Sequence, residues 1–414
     1  MKELFPVTAR IDAQALSLGG IATPELADEF GTPLVVYCAE TLREQARAYR
    51  AIEPDALVVY GTKAFANVAI LRLFGDEGLG ADVSTIGELG FALRARIPPD
   101  RIVFHGNNKS DAELAAAAER GVLVVLDGGD EAERAAAAGV REALIRLTPG
   151  VEAETHRSIQ TAHAESKFGV DPEQALREVE HARTRLDLLG VHVHVGSQLT
   201  GLDASLASVD RVLAFCTRAR DEIGWTPRIV DLGGGLGVRH TRDEAVPGVA
   251  EFVGAVVHRF RAGWREAAQL VLEPGRSLVG RAGVTVYRVG ATKRSGGVEY
   301  VAVDGGMSDN PRPQLYAAKY EPLLANRASE PADGSYRIAG KHCESGDVLV
   351  EAAQLPRPRR GDVLALPATG AYTLAMASTY NGVPRPAAVL VEAGEARLIR
   401  RRETVDDLLA FELA

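Results

Sequence analysis

Eight apolar, strand-like runs follow one another along the chain: Leu57–Tyr60, Leu79–Val83, Ile102–His105, Val122–Leu126, Ala143–Leu147, Leu189–Val195, Arg228–Leu232 and Gln269–Glu273. Between them lie helix-length segments rich in alanine, leucine and charge, among them Glu113–Arg120, Glu131–Ala138 and Pro247–Glu266. Those residue types favour helices, and strand followed by helix eight times over predicts an α/β fold, a (β/α)8 barrel of the TIM type. In that architecture the chemistry gathers at the carboxyl ends of the strands. Just past those ends stand Lys63, Asp82, His105, His194 with Ser197, the run Gly233-Gly234-Gly235, and Glu273 with Arg276. An amine, carboxylates, imidazoles and anion-binding glycines are thus aimed at one mouth.

A barrel takes about 250 residues, so a chain of 414 residues leaves room for a second domain. After Glu273-Pro274-Gly275-Arg276 the rhythm changes. Val284–Val289, Glu299–Val303, Val348–Ala352, Asp362–Leu366, Ala387–Val391 and Ala396–Ile399 are β-rich, with Gly, Pro and Asp turns between them. This predicts a mostly antiparallel β domain. Residues 34–281 are expected to form the barrel, and residues 1–33 with 282–414 the β-rich domain that completes the active site. Arg357, Arg359, Arg360 and Arg400 to Arg402 read as solvated surface.

Composition narrows the class of partner. A hydrophobic content of 46% supports a large core, and a net charge of −9 argues against nucleic acid or an acidic membrane as partner. No run approaches the roughly 20 apolar residues of a membrane span, and Met1 to Gln14 carries no apolar stretch of signal-peptide length. Cys38, Cys216 and Cys343 show neither disulfide nor zinc spacing. A cytoplasmic location is expected.

Lys63 stands just beyond the first strand, where a barrel wall can desolvate it and make its amine reactive. Ser197, Gly233 to Gly235 and Gly275-Arg276 follow strands six, seven and eight, the place where barrels bind phosphates with backbone N–H groups. Val238 stands where a dinucleotide fingerprint needs its third glycine, so that reading is rejected. His192 and His194 alternate with valines and point to one face. A pair of core histidines or a metal pair would give the same pattern. No further carboxylate or histidine falls at ligand spacing, so no metal is expected. Beside a phosphate site and a Schiff-base lysine, His194 reads instead as a plate stacked on an aromatic cofactor. A carboxylate such as Glu273 that meets a pyridine nitrogen keeps it protonated, which makes the ring an electron sink. Lysine, phosphate site, imidazole and carboxylate together describe pyridoxal 5′-phosphate.

Longer segments then carry a resemblance. Tyr60-Gly61-Thr62-Lys63-Ala64, His194-Val195-Gly196-Ser197-Gln198, Gly233-Gly234-Gly235, Glu273-Pro274-Gly275-Arg276 and Cys343-Glu344-Ser345-Gly346-Asp347 are similar to motifs of the alanine-racemase-fold (fold type III) pyridoxal-phosphate decarboxylases. Asp304-Gly305-Gly306-Met307-Ser308-Asp309-Asn310-Pro311-Arg312-Pro313 and Gly340-Lys341-His342-Cys343-Glu344-Ser345 resemble the diaminopimelate decarboxylases among them. The likeness spans about residue 20 to residue 390, and Gln314 departs from it, alanine being commoner there.

The resemblance implies decarboxylation of meso-2,6-diaminopimelate to L-lysine and carbon dioxide, the last step of lysine biosynthesis. It implies that Lys63 forms the Schiff base, that Asp82 borders the cofactor, that His194 stacks on its ring and that Glu273 meets its pyridine nitrogen. Ser197, Gly235, Gly275, Arg276 and Tyr372 are the implied phosphate ligands. Arg276, Arg312, Tyr316 and Tyr372 would bind the substrate, the arginines and Tyr316 at its distal carboxylate, and Glu344 would take its distal ammonium. Cys343 is the implied proton donor, Lys63 being the alternative, and a homodimer with shared active sites is implied. Decarboxylases of the same fold that act on ornithine, arginine or carboxynorspermidine are rivals, and Glu344 within Cys-Glu-Ser argues against them. A non-catalytic regulatory homologue would be expected to lack Lys63 or Cys343. A racemase of this fold would place arginine, not Glu273, at the pyridine nitrogen.

Overall fold

The computed structural model describes residues 3–151 and 166–413. Two compact units emerge, one of Gln45–Gly237 with Val246–Ser277, the other of Met1–Glu44, Val238–Ala245 and Leu278–Ala414.

The first unit is a closed barrel of eight parallel strands: β1 (Leu57–Gly61), β2 (Gly80–Val83), β3 (Ile102–Phe104), β4 (Leu123–Leu126), β5 (Glu142–Leu147), β6 (Asp187–Val193), β7 (Ile229–Asp231) and β8 (Gln269–Leu272), with β8 paired to β1. All eight expected runs are strands. Val59, Val103, Val125, Leu144, Leu189 and Val271 pack together as one apolar cluster. Strands of a parallel sheet are buried on both faces, which is why these runs read as continuously apolar rather than alternating. Helices between them have local start and stop signals. Asp111–Arg120 opens on a reciprocal Ser110–Glu113 capping box and closes at left-handed Gly121, and Glu131–Ala138 closes at left-handed Gly139. Among the described residues no helix is long and apolar enough to cross a membrane.

The second unit is built on the long strand Gly283–Ser295, which pairs antiparallel with Leu34–Cys38, Val363–Leu366 and Val298–Val303. The hairpins Gly334–Ala339 with Val348–Leu355, and Ala387–Glu392 with Glu395–Arg400, are antiparallel too. Two pairings are parallel, Leu34–Cys38 with Ala387–Glu392 and Val298–Val303 with Gly334–Ala339. The sheet is therefore mostly antiparallel. Its apolar residues form two clusters, one around Leu34, Val36, Val286 and Val389, the other around Tyr287, Val301, Ile338 and Leu364.

Two expectations differ from what is found. Leu34–Cys38 lies in the β-sheet and not in the barrel that was expected to begin at residue 34. All five of its residues are buried, so its sequence reads like a barrel strand. Arg357, Arg359, Arg360 and Arg401 are exposed as expected, but Arg400 and Arg402 are half-buried. Arg402 donates to the Pro33 carbonyl at 2.7 Å and Arg400 meets Glu403 at 3.4 Å, because long side chains can bury their stems while their heads find oxygen.

Asp309, in the segment before Arg312, is buried with Tyr287 donating to one oxygen and the Gly306 N–H to the other at 2.8 Å. Burial pushes its carboxyl up to about 7, against the pull of those two hydrogen bonds. An unfolded aspartate titrates near about 3.9, so the folded protein holds this proton more tightly. The stability linked to it is complete below the unfolded value and is lost as pH rises through about 7. Asp309→Asn, neutral at every pH, should accordingly be less destabilised than the wild type between pH 5 and pH 8. Denaturation midpoints across that range check this, and parallel curves for the two proteins would contradict it.

Candidate active site

The barrel unit assembles its expected residues at the carboxyl ends of its strands. Lys63 lies in the single 3-10 turn Thr62–Ala64 that follows β1. Its ammonium donates to Asp82 of β2, and the Thr62 hydroxyl donates to the Asp82 carbonyl at 2.6 Å. The lysine side chain is 42% exposed, so a counter-charge, rather than the desolvation expected from the barrel wall, is what it meets.

Glu273 follows β8 and is buried. Its two oxygens are met by separate imidazoles, Oε1 by Nε2 of His105 at 2.6 Å and Oε2 by Nε2 of His192 at 3.2 Å. Those two rings touch edge to face with centroids 4.7 Å apart. Burial pulls His192 down to about 3, so it donates to Glu273 as a neutral ring. Burial by itself would raise the Glu273 carboxyl, but His105 and His192 together hold it well below the usual carboxylate range. Asp231 is buried beside it, and burial with the Glu273 charge drives its carboxyl well above the usual range. Of two adjoining acids, then, Asp231 keeps a proton and Glu273 keeps the charge.

His194 lies just past β6, where the Gly234 N–H donates to its Nδ1 at 3.3 Å and leaves the ring proton on Nε2. Burial first, then the Lys63 and Arg146 charges, hold the ring well below its ordinary value, and so neutral. The glycine run has a packing duty of its own. A Cβ at Gly234 would lie 2.1 Å from the Glu273 carbonyl oxygen, and one at Gly233 2.3 Å from that of Val193. Gly235 has left-handed backbone (φ 118°). Nearby, Arg276 donates to the Ser197 hydroxyl from Nε at 3.2 Å and from Nη2 at 3.0 Å. Among the described residues the N–H groups of Gly235 and Gly275 donate to no protein oxygen. Free N–H groups with a hydroxyl and a guanidinium suit a phosphate, and a buried ionised carboxylate suits a protonated pyridine. The residues fit pyridoxal 5′-phosphate.

The second unit carries the remaining expected residues. Arg312 opens the short helix Arg312–Tyr316 and is buried. Its Nη1 meets the Tyr320 hydroxyl at 2.6 Å and Nε2 of His240 at 2.9 Å, and among the described residues no carboxylate pairs with it. Tyr316 is half-buried, its hydroxyl directed at the Met376 sulfur at 3.9 Å. Cys343 and Glu344 are both exposed, unlike buried Cys38 and Cys216. The Cys343 N–H donates to the Asn381 side chain at 3.1 Å. Tyr372 has left-handed backbone (φ 57°), is half-buried and belongs to neither apolar cluster. Such backbone is sparsely populated for a tyrosine and tends to mark functional positions.

Sequence reasoning missed what supports Glu273. The sequence puts His105 at the mouth without giving it a task and offers no signal that singles out Asp231. One ground for setting a metal pair aside also fails, since donor atoms of His105, His192, Asp231 and Glu273 lie within 4.8 Å of one another. They are engaged with each other, however, in the arrangement that keeps Glu273 ionised.

Residues 39–280 match the family model for the pyridoxal-binding domain of pyridoxal-dependent decarboxylases. The chain is 42% identical over 419 residues to a diaminopimelate decarboxylase of Bacillus subtilis, covering 96% of this chain and 95% of that protein. It is also 42% identical to a diaminopimelate decarboxylase of Mycobacterium tuberculosis, with coverage of 98% and 96%. Among solved structures, a diaminopimelate decarboxylase from M. jannaschii in co-complex with L-lysine matches with a TM-score of 0.92 at 32% identity, over 98% of each chain.

Proposed function

The chain belongs to the pyridoxal-dependent decarboxylases, in the diaminopimelate decarboxylase family, and we propose the residue roles by which it removes a carboxyl group from meso-diaminopimelate to give L-lysine. Pyridoxal 5′-phosphate, when bound, supplies an electron sink for the pair left behind as carbon dioxide departs. Lys63 holds the cofactor through Nζ, with Asp82 as the partner that orients the amine. Glu273, kept ionised by His105 and His192, holds a proton on the pyridine nitrogen. His194, held neutral, would stack on the cofactor's ring. Ser197, Gly235, Gly275, Arg276 and Tyr372 donate to the phosphate.

The observation that carries the substrate reading is Arg312, buried without a carboxylate partner among the described residues. A buried guanidinium without a counter-charge is costly, so a substrate that brings a second carboxylate is favoured. Ornithine and arginine bring none. Arg276, Tyr316 and Tyr372 assist at that end of the substrate, Glu344 accepts the distal ammonium, and Cys343 gives a proton to the carbon that lost its carboxyl group. Both Cys343 and Glu344 are exposed in the single chain. A proton donor works best where water is excluded, which supports a homodimer in which a second copy covers this loop and shares the site. The three free cysteines support a cytoplasmic setting.

The test is a competition among substrates with cofactor added. Carbon dioxide and L-lysine should form from meso-diaminopimelate with kcat/KM roughly 10² or more above that for L-ornithine or L-arginine. Arg312→Ala should raise KM for diaminopimelate strongly, because it leaves a charged partner unpaired at about 2 to 5 kcal/mol. Preference for ornithine or arginine would overturn the reading.

A further inference from the structure

Arg312 is held at one corner of its guanidinium by two uncharged acceptors. Arginine has donors only, so both protons of Nη1 are engaged, one on the Tyr320 hydroxyl at 2.6 Å and one on Nε2 of His240 at 2.9 Å. A ring nitrogen that accepts carries no proton, which puts the His240 ring proton on Nδ1. That nitrogen lies 3.8 Å from Oε2 of Glu244, the oxygen that accepts the His240 main-chain N–H at 2.7 Å. Both acceptors are buried, and they brace each other, His240 standing edge to face on Tyr320 with ring centroids 5.4 Å apart. The edge of the guanidinium left over is that of Nε and Nη2. Nε is buried and, among the described residues, has no hydrogen-bond partner. Two adjacent nitrogens of that kind take a carboxylate through two parallel hydrogen bonds.

We propose that His240 is a positioning residue for Arg312 and thereby a determinant of specificity: it fixes the plane of the guanidinium and keeps the Nε–Nη2 edge free for the far carboxylate of the substrate. This rests on the role given to Arg312 above. With Tyr320 alone the guanidinium could swing about a single contact, and a second acceptor stops it. A group ordered in advance binds its partner without losing further side-chain freedom. A shift of about 1 Å at such a contact forfeits roughly 10²-fold. His240, Arg312 and Tyr320 all belong to one compact unit of one chain. The arrangement therefore does not depend on which copy supplies Cys343 and Glu344.

L-lysine and cadaverine, which is L-lysine without its carboxylate, test this as competitive inhibitors of diaminopimelate turnover by the cofactor-loaded protein. The wild type should bind L-lysine roughly 10-fold or more tightly than cadaverine. His240→Met and His240→Gln are of nearly equal size, and only the glutamine offers an oxygen acceptor. His240→Met should raise Ki for L-lysine and KM for diaminopimelate by roughly 10- to 100-fold, with kcat and the cadaverine Ki changed by less than about threefold. In His240→Gln all four values should stay within about fivefold of the wild type. Equal losses in the two variants, a wild-type Ki for L-lysine in His240→Met, or cadaverine weakened as much as L-lysine, the mark of a merely structural role, each overturn the proposal. Should His240→Met not fold, Tyr320→Phe removes the other acceptor alone and must show the same carboxylate-dependent loss, and its absence overturns the proposal too. A wild type that binds cadaverine as tightly as L-lysine overturns the reading of Arg312, and the proposal with it.

Discussion

Glu273→Gln should keep its cofactor and lose turnover by roughly 10² or more, the scale expected for removing one buried electrostatic stabiliser. Two imidazoles converge on the wild-type carboxylate, and Asp231 keeps a proton beside it, so the local charge sits on Glu273. An amide of the same shape still accepts a hydrogen bond, but it carries no charge with which to hold a proton on the pyridine nitrogen. The loss should therefore appear in kcat at saturating cofactor. Because His105 and His192 hold the Glu273 carboxyl well below the usual range, its protonation should not limit wild-type activity at mildly acid pH. Absorbance reports cofactor occupancy and steady-state kinetics report turnover. Full occupancy with unchanged kcat would contradict the role given to Glu273.

Cys343→Ala should lower turnover by about 10² to 10⁴, as expected for loss of a positioned general acid. The exposure of Cys343 in the single chain makes a second expectation sharper. If a homodimer shares its sites, each site takes Lys63 from one copy and Cys343 from the other. Mixing inactive Lys63→Ala with inactive Cys343→Ala subunits should then restore about a quarter of the wild-type sites, since half of the random dimers hold one intact site of two. Subunit exchange can be followed separately by fluorescence. Exchange without any return of activity would place both residues in one chain and remove the shared-site reading.

The barrel was legible because parallel strands buried on both faces leave continuous apolar runs, and the residue after each run falls at the mouth. Lys63, Asp82, His194, Ser197, Glu273 and Arg276 could be found in that way. Leu34–Cys38 shows the limit of the signal, since an equally apolar run went to the β-sheet. Apolarity reports burial and does not say in which sheet. The strand Gly334–Ala339 leaves no continuous apolar run, because only Ile338 of its six residues is fully buried. What surrounds Glu273 was hidden for a different reason. His105 is 168 positions away in sequence and His192 is 81, and only barrel closure, which sets β8 beside β1, gathers such residues. Nothing in the sequence foretells the partners of Gln314, which are the main-chain carbonyls of Gly346 and Val348, groups that any sequence supplies.

The attachment of the cofactor to Lys63 underlies every role assigned at the barrel mouth. Reduction of the cofactor-loaded protein with borohydride, digestion and mass mapping reads it directly. The modification should fall on Lys63, which follows β1 and donates to Asp82, and Lys63→Ala should give neither labelled peptide nor turnover. A label on any other lysine, or turnover that survives in Lys63→Ala, would contradict the account.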